Sequence, residues 1–328
     1  MIGIDVGGAN LKVVDDGGVH IHYCPLWEGA QLTRLLEQHR KQDSEPAAVV
    51  MSGELADCFA SKIEGISFIV KAIKEVFPRA AFYGTDGSFH SRPVRALAAG
   101  NWLASADYLA QRYPDAVLVD AGSTTTDIIP LVSFPDLKGL TDLMRLQKGY
   151  LVYTGMLRTT LPALLRSVDI DGVATPVSSE HFAIAADAHL VLRHIRPRQY
   201  SCDTPDKKAK TPEASLRRLA RVVCADQKEI GKKNATGIAT QFWEAQKNLI
   251  CNQVRTVMAV SHASTVVTAG IGASLFAREL DGIDLSKELG AASDALPAFA
   301  VREVALRGLS GAQSPKRRRG GPLRNRGS

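Results

Sequence analysis

Two stretches of the chain share one pattern, and this pattern decides the fold. Residues 1–18 read MIGIDVGGANLKVVDDGG, and residues 115–132 read DAVLVDAGSTTTDIIPLV. Each contains an apolar strand, an aspartate (Asp5 or Asp120), a glycine turn and a second strand. Either one alone is a weak phosphate-loop signal, for which a plain strand–turn–strand unit is an equal alternative. Their recurrence 115 positions apart predicts an internal duplication, with two similar lobes facing each other across a cleft.

Strands and helices alternate along the rest of the chain, which is typical of an α/β protein. Pro93 is expected to begin a long helix that runs to about Tyr113. A third glycine turn, containing Gly270 and Gly272, follows a strand and precedes a helix whose N-terminus could hold an anion. The predicted organisation is a first lobe over 1–115, a second lobe with a helical insertion over 116–310, and a tail over 311–328.

Composition places the chain among globular proteins, with 45% hydrophobic and 23% charged residues in a length of 328. It contains no apolar run near the roughly 18–20 residues that span a bilayer, and it opens directly on a strand without a leader. We therefore expect a cytoplasmic location and no membrane partner. The five cysteines are scattered and lack CxxC spacing, which favours reduced thiols and argues against a zinc site.

The net charge of +6 comes from one end of the chain. Six of the 40 Lys and Arg lie in residues 316–328, which contain no acid, so the remaining 34 match the 34 Asp and Glu. This Gly-, Pro- and Arg-rich segment predicts a disordered tail. No specific nucleic-acid partner is therefore expected, although a non-specific contact with RNA stays an alternative to a tail without a role.

The glycine turns occur in an informative order. The segments DVGGANLK (5–12), DAGSTTTD (120–127) and AGIG (269–272) resemble the two phosphate motifs and the adenosine motif of the actin/sugar kinase/Hsp70 superfamily. The second motif is most similar to the DxGGTTTD of the hydantoinase/oxoprolinase branch, with Ser123 in place of the second glycine. The resemblance implies an α/β fold with two duplicated RNase H-like lobes around a central cleft.

Other segments resemble a narrower family, the (aminomethyl)furan–tyramine ether synthases of methanofuran-type cofactor biosynthesis, which are linked to tetrahydromethanopterin-dependent C1 transfer. They are MSGELADCF (51–59), FYGTDGSF (82–89), AAGNWLASA (98–106), LVYTG (151–155) and DTPDKKAKTPEASLRRLAR (203–221). The resemblance implies that an (aminomethyl)furanmethyl diphosphate loses pyrophosphate to the phenol of a glutamyl conjugate of tyramine or tyrosine. The stretch that contains Thr160 departs from the family pattern, in which Arg-Thr-Pro follows the glycine.

Pyrophosphate leaves readily only when its developing charge is neutralised. This requirement suggests roles for the residues of the glycine turns. Asp5 and Asp120, at facing strand ends, suit Mg²⁺ because this ion prefers a few carboxylates and retains several waters. Lys12 would add a positive charge, although a strand lysine that points to solvent is an alternative. The residues expected to bind phosphate or substrate through these turns are Gly7, Gly8, Asn10, Gly122, Ser123, Thr124, Thr125, Gly270 and Gly272.

Three carboxylates are candidates for the base that accepts the phenol proton. Glu54 and Asp57 follow a buried strand, and Asp86 lies in GTDGS. The alternatives are a loop role for Glu54, a helix cap for Asp57 and a turn-forming role for Asp86. Glu54 is the favoured base.

The Pro-containing loop CDTPDKK (202–208) is the candidate lid. Its Lys207 would meet the glutamyl carboxylate or the pyrophosphate. The alternative is a surface loop that leads into a helix capped by Thr211. His20 and His22 share one strand face and are expected to be an exposed pair, since no third metal ligand is apparent. Trp102 is expected in the core.

Two other classes of function remain open: an ATP-dependent kinase or ring-opening hydrolase, and a nucleotide-gated binding protein. The adenosine-type turn at Gly270 and Gly272 supports either one. The diphosphate substrate already carries its activation, so we do not expect ATP to be required. The expected partners are small-molecule substrates, and a homodimer is possible.

Overall fold

The computed structural model describes residues 1–42 and 45–312, so almost all of the predicted tail lies outside the described residues. The strands are β1 Ile2–Val6, β2 Asn10–Asp15, β3 Gly18–Tyr23, β4 Ala47–Met51, β5 Ala81–Tyr83, β6 Phe89–His90, β7 Ala116–Ala121, β8 Thr126–Pro130, β9 Leu151–Val152, β10 Ser167–Ile170, β11 Val173–Pro176, β12 Thr265–Ala269 and β13 Ile283–Asp284. The helices are α1 Leu32–Glu37, α2 Lys62–Val76, α3 Asn101–Leu109, α4 Phe134–Leu137, α5 Asp142–Lys148, α6 Ala185–Val191, α7 Pro212–Arg221, α8 Gln227–Ser261, α9 Ala273–Leu280, α10 Ser286–Leu289 and α11 Leu296–Ala312.

The two large sheets have the same topology. In the first, the order is β3-β2-β1-β4-β5-β6, with β1, β2 and β3 antiparallel and β4 and β5 parallel to β1. In the second, the order β9-β8-β7-β12-β13 repeats this arrangement, with β7, β8 and β9 antiparallel and β12 and β13 parallel to β7. The fold is therefore a duplicated α/β structure with two RNase H-like lobes, as the paired glycine turns predicted.

Strand alternation explains why the two aspartates face the space between the sheets. Side chains at every second position of a strand share a face. Leu118 belongs to a core cluster that includes Val50 from the first sheet, and Asp120 follows Leu118 on the same face. Asp5 pairs with Val50 across β1 and β4, so it borders the same shared cluster.

The strands of the first large sheet all precede the boundary predicted at residue 116, and those of the second all follow it. The helices do not divide in the same way. The last helix, α11, returns to the first sheet, where Gly3 lies against the carbonyl of Ala298 and Arg302 Nε donates to the Met1 carbonyl at 2.9 Å. The helix predicted from Pro93 is shorter than expected. It begins at Asn101, because the chain bends before it through Ala99 at a φ of 49°.

Helices α6, α7 and α8 lie between β9 and β12 and form their own core with the β10–β11 hairpin. Within the described residues, no helix combines the length and the apolar character needed to cross a membrane.

Candidate active site between the two glycine turns

The two glycine turns are built by the same hydrogen bond. Gly7 N–H donates to the Asn10 carbonyl at 2.9 Å, and Gly122 N–H donates to the Thr125 carbonyl at 3.0 Å. Each turn follows an aspartate-bearing strand, β1 or β7, and leads into the antiparallel partner of that strand. The structure thus brings the predicted turn residues to corresponding positions of the two lobes.

Asp5 and Asp120 lie at corresponding ends of β1 and β7, near enough for the charge of Asp5 to act on Asp120. Burial is the main cause that raises the pKa of Asp5 to about 6 and that of Asp120 to about 7, and the charge of Asp5 contributes to the rise at Asp120. Asp5 Oδ1 is buried and has no hydrogen-bond partner among the described residues. An unpartnered carboxylate oxygen beside a second carboxylate fits a hard divalent cation such as Mg²⁺.

Lys12 lies among these carboxylates. It pairs with Asp5 across β1 and β2, and its charge lowers the pKa of Asp5, Asp120 and Asp127 against the larger effect of burial. This position contradicts the alternative of a lysine that simply points to solvent. Asp127 is the counterpart of Lys12 in the second lobe, where it pairs with Asp120 across β7 and β8.

The carboxylate of Asp127 is held by a buried arginine that the sequence did not identify. Arg145 from α5 forms ion pairs with Asp127 and with Asp142, the latter at 2.8 Å. Its guanidinium stacks over the ring of Trp102 at 4.4 Å, and Trp102 is buried as predicted. Arg145 therefore counters the charge of Asp127, whereas neither Asp5 nor Asp120 forms an ion pair among the described residues.

Backbone donors complete the anion-binding character of the turns. The N–H groups of Gly8, Ser123 and Thr124 have no acceptor in the part of the chain that the structure describes. The position where Gly8 would carry a Cβ is open space. Asn10 Oδ1 is a second buried oxygen without a partner among these residues. Such donors in successive turn residues are typical of phosphate sites.

The third turn packs closely against the end of β7. A Cβ on Gly270 would lie 2.5 Å from Asp120 Oδ1 and 2.6 Å from the Ala121 carbonyl, and one on Gly272 would lie 2.7 Å from Ala121 Cβ. Both glycines therefore allow this turn to pack against the end of β7. A side chain on Gly270 would therefore collide with Asp120, and the ligand contact expected of this turn stays a prediction.

Trp27 and Arg158 connect the lobes beside the two turns. The residue before Trp27 donates its N–H to the Gly8 carbonyl, and Arg158 N–H donates to the Ser123 carbonyl, both at 3.0 Å. The Arg158 guanidinium stacks over the Trp27 ring at 4.6 Å. This pair could not be predicted from the sequence, because its members are far apart in the chain and belong to no glycine motif.

The three candidate bases occupy different environments. Glu54 is buried, burial raises its pKa to about 7, and its Oε2 has no partner among the described residues. The exposed Asp57 is not the cap of α2, which is Ser61. Asp86 is an exposed turn former whose carboxylate accepts from Ser88 N–H and pairs with His90 at 2.9 Å. Glu54 alone of the three is buried, whereas the geometry gives Asp86 no link to the aspartates.

The candidate lid is anchored to the second lobe. Asp206 pairs with Arg218 at 3.0 Å, and Thr211 caps α7 as predicted, accepting from Ala214 N–H at 3.3 Å. Lys207 is exposed and, within the described residues, forms no hydrogen bond with either turn. A different residue of this loop, Asp203, lies near the first lobe. Its charge raises the pKa of Tyr23 on β3, although burial is the larger cause of that rise.

A pH-dependent stability follows from the buried aspartate. The folded-state pKa of Asp5 is raised from 3.8 to about 6, so the folded state binds its proton more tightly than the unfolded state does. Its ionisation therefore costs stability progressively as pH rises from about 4 to 7. We expect Asp5→Asn to increase the free energy of unfolding at pH 8 by at most about 3 kcal/mol relative to the wild type. Its Tm should therefore be higher than that of the wild type at pH 8 but not at pH 4.

The measurement is thermal unfolding of both proteins across this pH range, with Asp57→Asn as an exposed control. Mg²⁺ should narrow the difference at pH 8 by stabilising only the wild type. A gap between Asp5→Asn and wild type that is constant with pH would contradict the buried ionisation.

Comparisons with known proteins agree with this arrangement. The hydantoinase/oxoprolinase family model matches residues 45–302. A "(4-{4-[2-(gamma-L-glutamylamino)ethyl]phenoxymethyl}furan-2-yl)methanamine synthase" of Methanocaldococcus jannaschii is 34% identical over 319 residues, covering 93% of this chain and 97% of the relative. A protein of the same name from Methanococcus vannielii is 37% identical over 184 residues, covering 56% of this chain and 83% of the relative.

Among solved structures, a nucleotide-free acetone carboxylase has a TM-score of 0.47 at 12% identity, covering 92% of this chain and 69% of its own. A ROK hexokinase from Thermus thermophilus has a TM-score of 0.32 at 14% identity, covering 95% and 89%. Because one family model matches most of the chain and one curated relative aligns over 93% of it, the chain belongs to the hydantoinase/oxoprolinase family, in the group of these furan-methanamine synthases.

Proposed function

We propose that this protein forms an aryl ether between an (aminomethyl)furanmethyl diphosphate and the phenol of a glutamyl-tyramine or glutamyl-tyrosine conjugate, releasing pyrophosphate. The observation that carries the proposal is a pair of desolvated carboxylates, the buried Asp5 and the half-buried Asp120, between two turns whose N–H groups at Gly8, Ser123 and Thr124 have no acceptor among the described residues. The name of the two curated relatives includes a phenoxymethylfuran, which contains an ether of this kind.

The turns would bind the diphosphate. Asp5 and Asp120 would hold Mg²⁺, which supplies positive charge to the leaving pyrophosphate when bound. The N–H groups of Gly8, Ser123 and Thr124 would donate to phosphate oxygens, and Lys12 would add a fixed positive charge. These donors stabilise the charge that develops as the carbon–oxygen bond breaks.

Glu54 would act as the base that accepts the phenol proton. The bond from the furan methylene to the diphosphate oxygen breaks as the phenol oxygen bonds to that methylene, and the phenol proton passes to Glu54. A phenol has an unperturbed pKa of about 10. A carboxylate with a pKa of about 7 is a stronger base than an exposed glutamate while remaining partly ionised at neutral pH.

Arg158 is the better candidate for the glutamyl carboxylate than Lys207. It lies next to the second turn and stacks on Trp27 from the other lobe, whereas Lys207 is exposed. A planar guanidinium also matches carboxylate geometry with two hydrogen bonds.

The test is to incubate the purified protein with the furanmethyl diphosphate, the glutamyl phenol and Mg²⁺, without nucleotide. We expect one pyrophosphate per ether product, measured by mass spectrometry and a phosphate-coupled assay. Omitting the phenol should suppress pyrophosphate release. A strict requirement for ATP with stoichiometric ADP would refute this reaction and favour the kinase or hydrolase alternative.

A further inference from the structure

Three histidines and an aspartate gather along the β2–β3 hairpin, from Asp15 at its turn to His22, which pairs with Leu11. His20 and His22 lie on β3, His39 follows α1, and Asp15 ends β2. The register places Asn10, beside the cleft, opposite Tyr23, and Asp15 at the other end of the same strand pair opposite Gly18. The proposed ether-forming reaction uses none of these four side chains.

The expectation of an exposed histidine pair without a third partner is wrong. His39 is buried, and its ring lies against both strand histidines, with centroid separations of 4.7 Å to His20 and 5.0 Å to His22. Both strand histidines are half-buried. The sequence did not indicate His39 because helix α1 and the chain after it bring it back over β3.

The ligand atoms are already close together. One atom each from Asp15, His20 and His39 lie within 4.8 Å of one another, and His22 Nε2 lies 2.8 Å from His39 Nε2. Two nitrogens bound to one tetrahedral zinc ion lie roughly 3.3 Å apart, given a Zn–N distance of about 2.05 Å. Small side-chain rotations would therefore suffice to place an ion among them.

The chemical types of the ligand atoms also suit a metal. Each histidine offers a ring nitrogen and Asp15 offers a carboxylate oxygen. Neutral imidazoles with a carboxylate prefer Zn²⁺ and its neighbours in the first transition row over Mg²⁺. The cluster is thus chemically distinct from the all-oxygen pair of aspartates in the cleft.

We propose that Asp15, His20, His22 and His39 form a binding site for one Zn²⁺-class transition-metal ion, which fastens the β2–β3 hairpin to the chain after α1. This role differs from catalysis, since the proposed reaction uses none of the four side chains. β3 is the edge strand of that sheet. An ion there would hold an edge that is otherwise paired on one side only.

Lys41 provides an internal competitor for the ion. Its Nζ lies 3.1 Å from Asp15 Oδ2, and its side chain is more than half exposed. An exposed lysine can leave such an ion pair at little cost. Removing its charge should therefore free Asp15 for the metal, whereas it would remove one partner of Asp15 if the cluster were only a hydrogen-bond network.

The experiment uses the full, untagged chain after treatment with a chelator, in excess Mg²⁺. Calorimetric titration with Zn²⁺ should show one ion per chain, and Co²⁺ should give the visible absorption of a tetrahedral site. His39→Gln should weaken binding at least tenfold, as should His20→Gln, whose half-exposed position tolerates substitution if His39→Gln fails to fold. Lys41→Gln should tighten binding, and His181→Gln, at an exposed histidine elsewhere, should leave it unchanged.

The proposal fails if Co²⁺ gives no tetrahedral absorption, or if His20→Gln binds Zn²⁺ as tightly as His181→Gln does. It also fails if Lys41→Gln weakens binding. None of these measurements uses the ether-forming assay, so the result is independent of the proposed function.

Discussion

Asp120→Asn should reduce turnover on the order of 10²–10³-fold while the protein remains folded. Asn has the same shape as Asp, so the close packing of Gly270 against Asp120 Oδ1 is preserved. What is lost is the negative charge that would hold Mg²⁺ opposite Asp5. Because burial raises the pKa of Asp120 to about 7, removing its ionisation should leave the Tm equal or higher. Steady-state kinetics at saturating Mg²⁺ and thermal unfolding at pH 8 measure the two effects.

Asp127→Asn is the matched contrast, since Asp127 lies directly across β7 and β8 from Asp120. It would break the buried ion pair with Arg145, so the expected loss is in stability, by about 3–5 kcal/mol. If Asp120→Asn instead retains activity at limiting Mg²⁺, or if it destabilises the fold as Asp127→Asn does, Asp120 is a structural residue and not a metal ligand.

The hairpins could be predicted from the sequence because the determining pattern is local. An apolar strand, an aspartate and a glycine turn specify β1 with β2 and β7 with β8, and the 115-residue spacing between Asp5 and Asp120 gave the duplication. The period of two along each strand then decides which side chains share a face. These features need no knowledge of distant contacts.

The features that could not be predicted depend on long-range packing. Arg145 reaches Asp127 across 18 positions, and the contact of Trp27 with Arg158 joins two lobes. No local period marks either pair. Likewise, His39 joins His20 and Asp15 only through the fold, and cysteine spacing could not indicate this cluster.

Gly270→Ala should damage both stability and activity, although it adds only one methyl group. Gly270 has a φ of 79°, and its new Cβ would lie 2.5 Å from Asp120 Oδ1 and 2.6 Å from the Ala121 carbonyl. Both contacts are with the end of β7, so the strand or the turn must shift. Overpacking of this kind costs about 1–3 kcal/mol, and the left-handed backbone adds roughly 1 kcal/mol. We expect a lower Tm together with a lower kcat, because Asp120 moves away from Asp5.

Gly139→Ala separates these two causes. Gly139 has the same φ of 79° but no atom within 4 Å of the added Cβ, so this variant carries the backbone strain without the collision. It should lose roughly 1 kcal/mol and keep its kcat. Equal effects in the two variants would show that backbone strain alone matters at Gly270. A raised KM with an unchanged Tm in Gly270→Ala would instead mean that this position faces a ligand, contrary to the contact with Asp120. The third glycine turn would then belong to the substrate site, whereas the collision with β7 indicates that it positions Asp120.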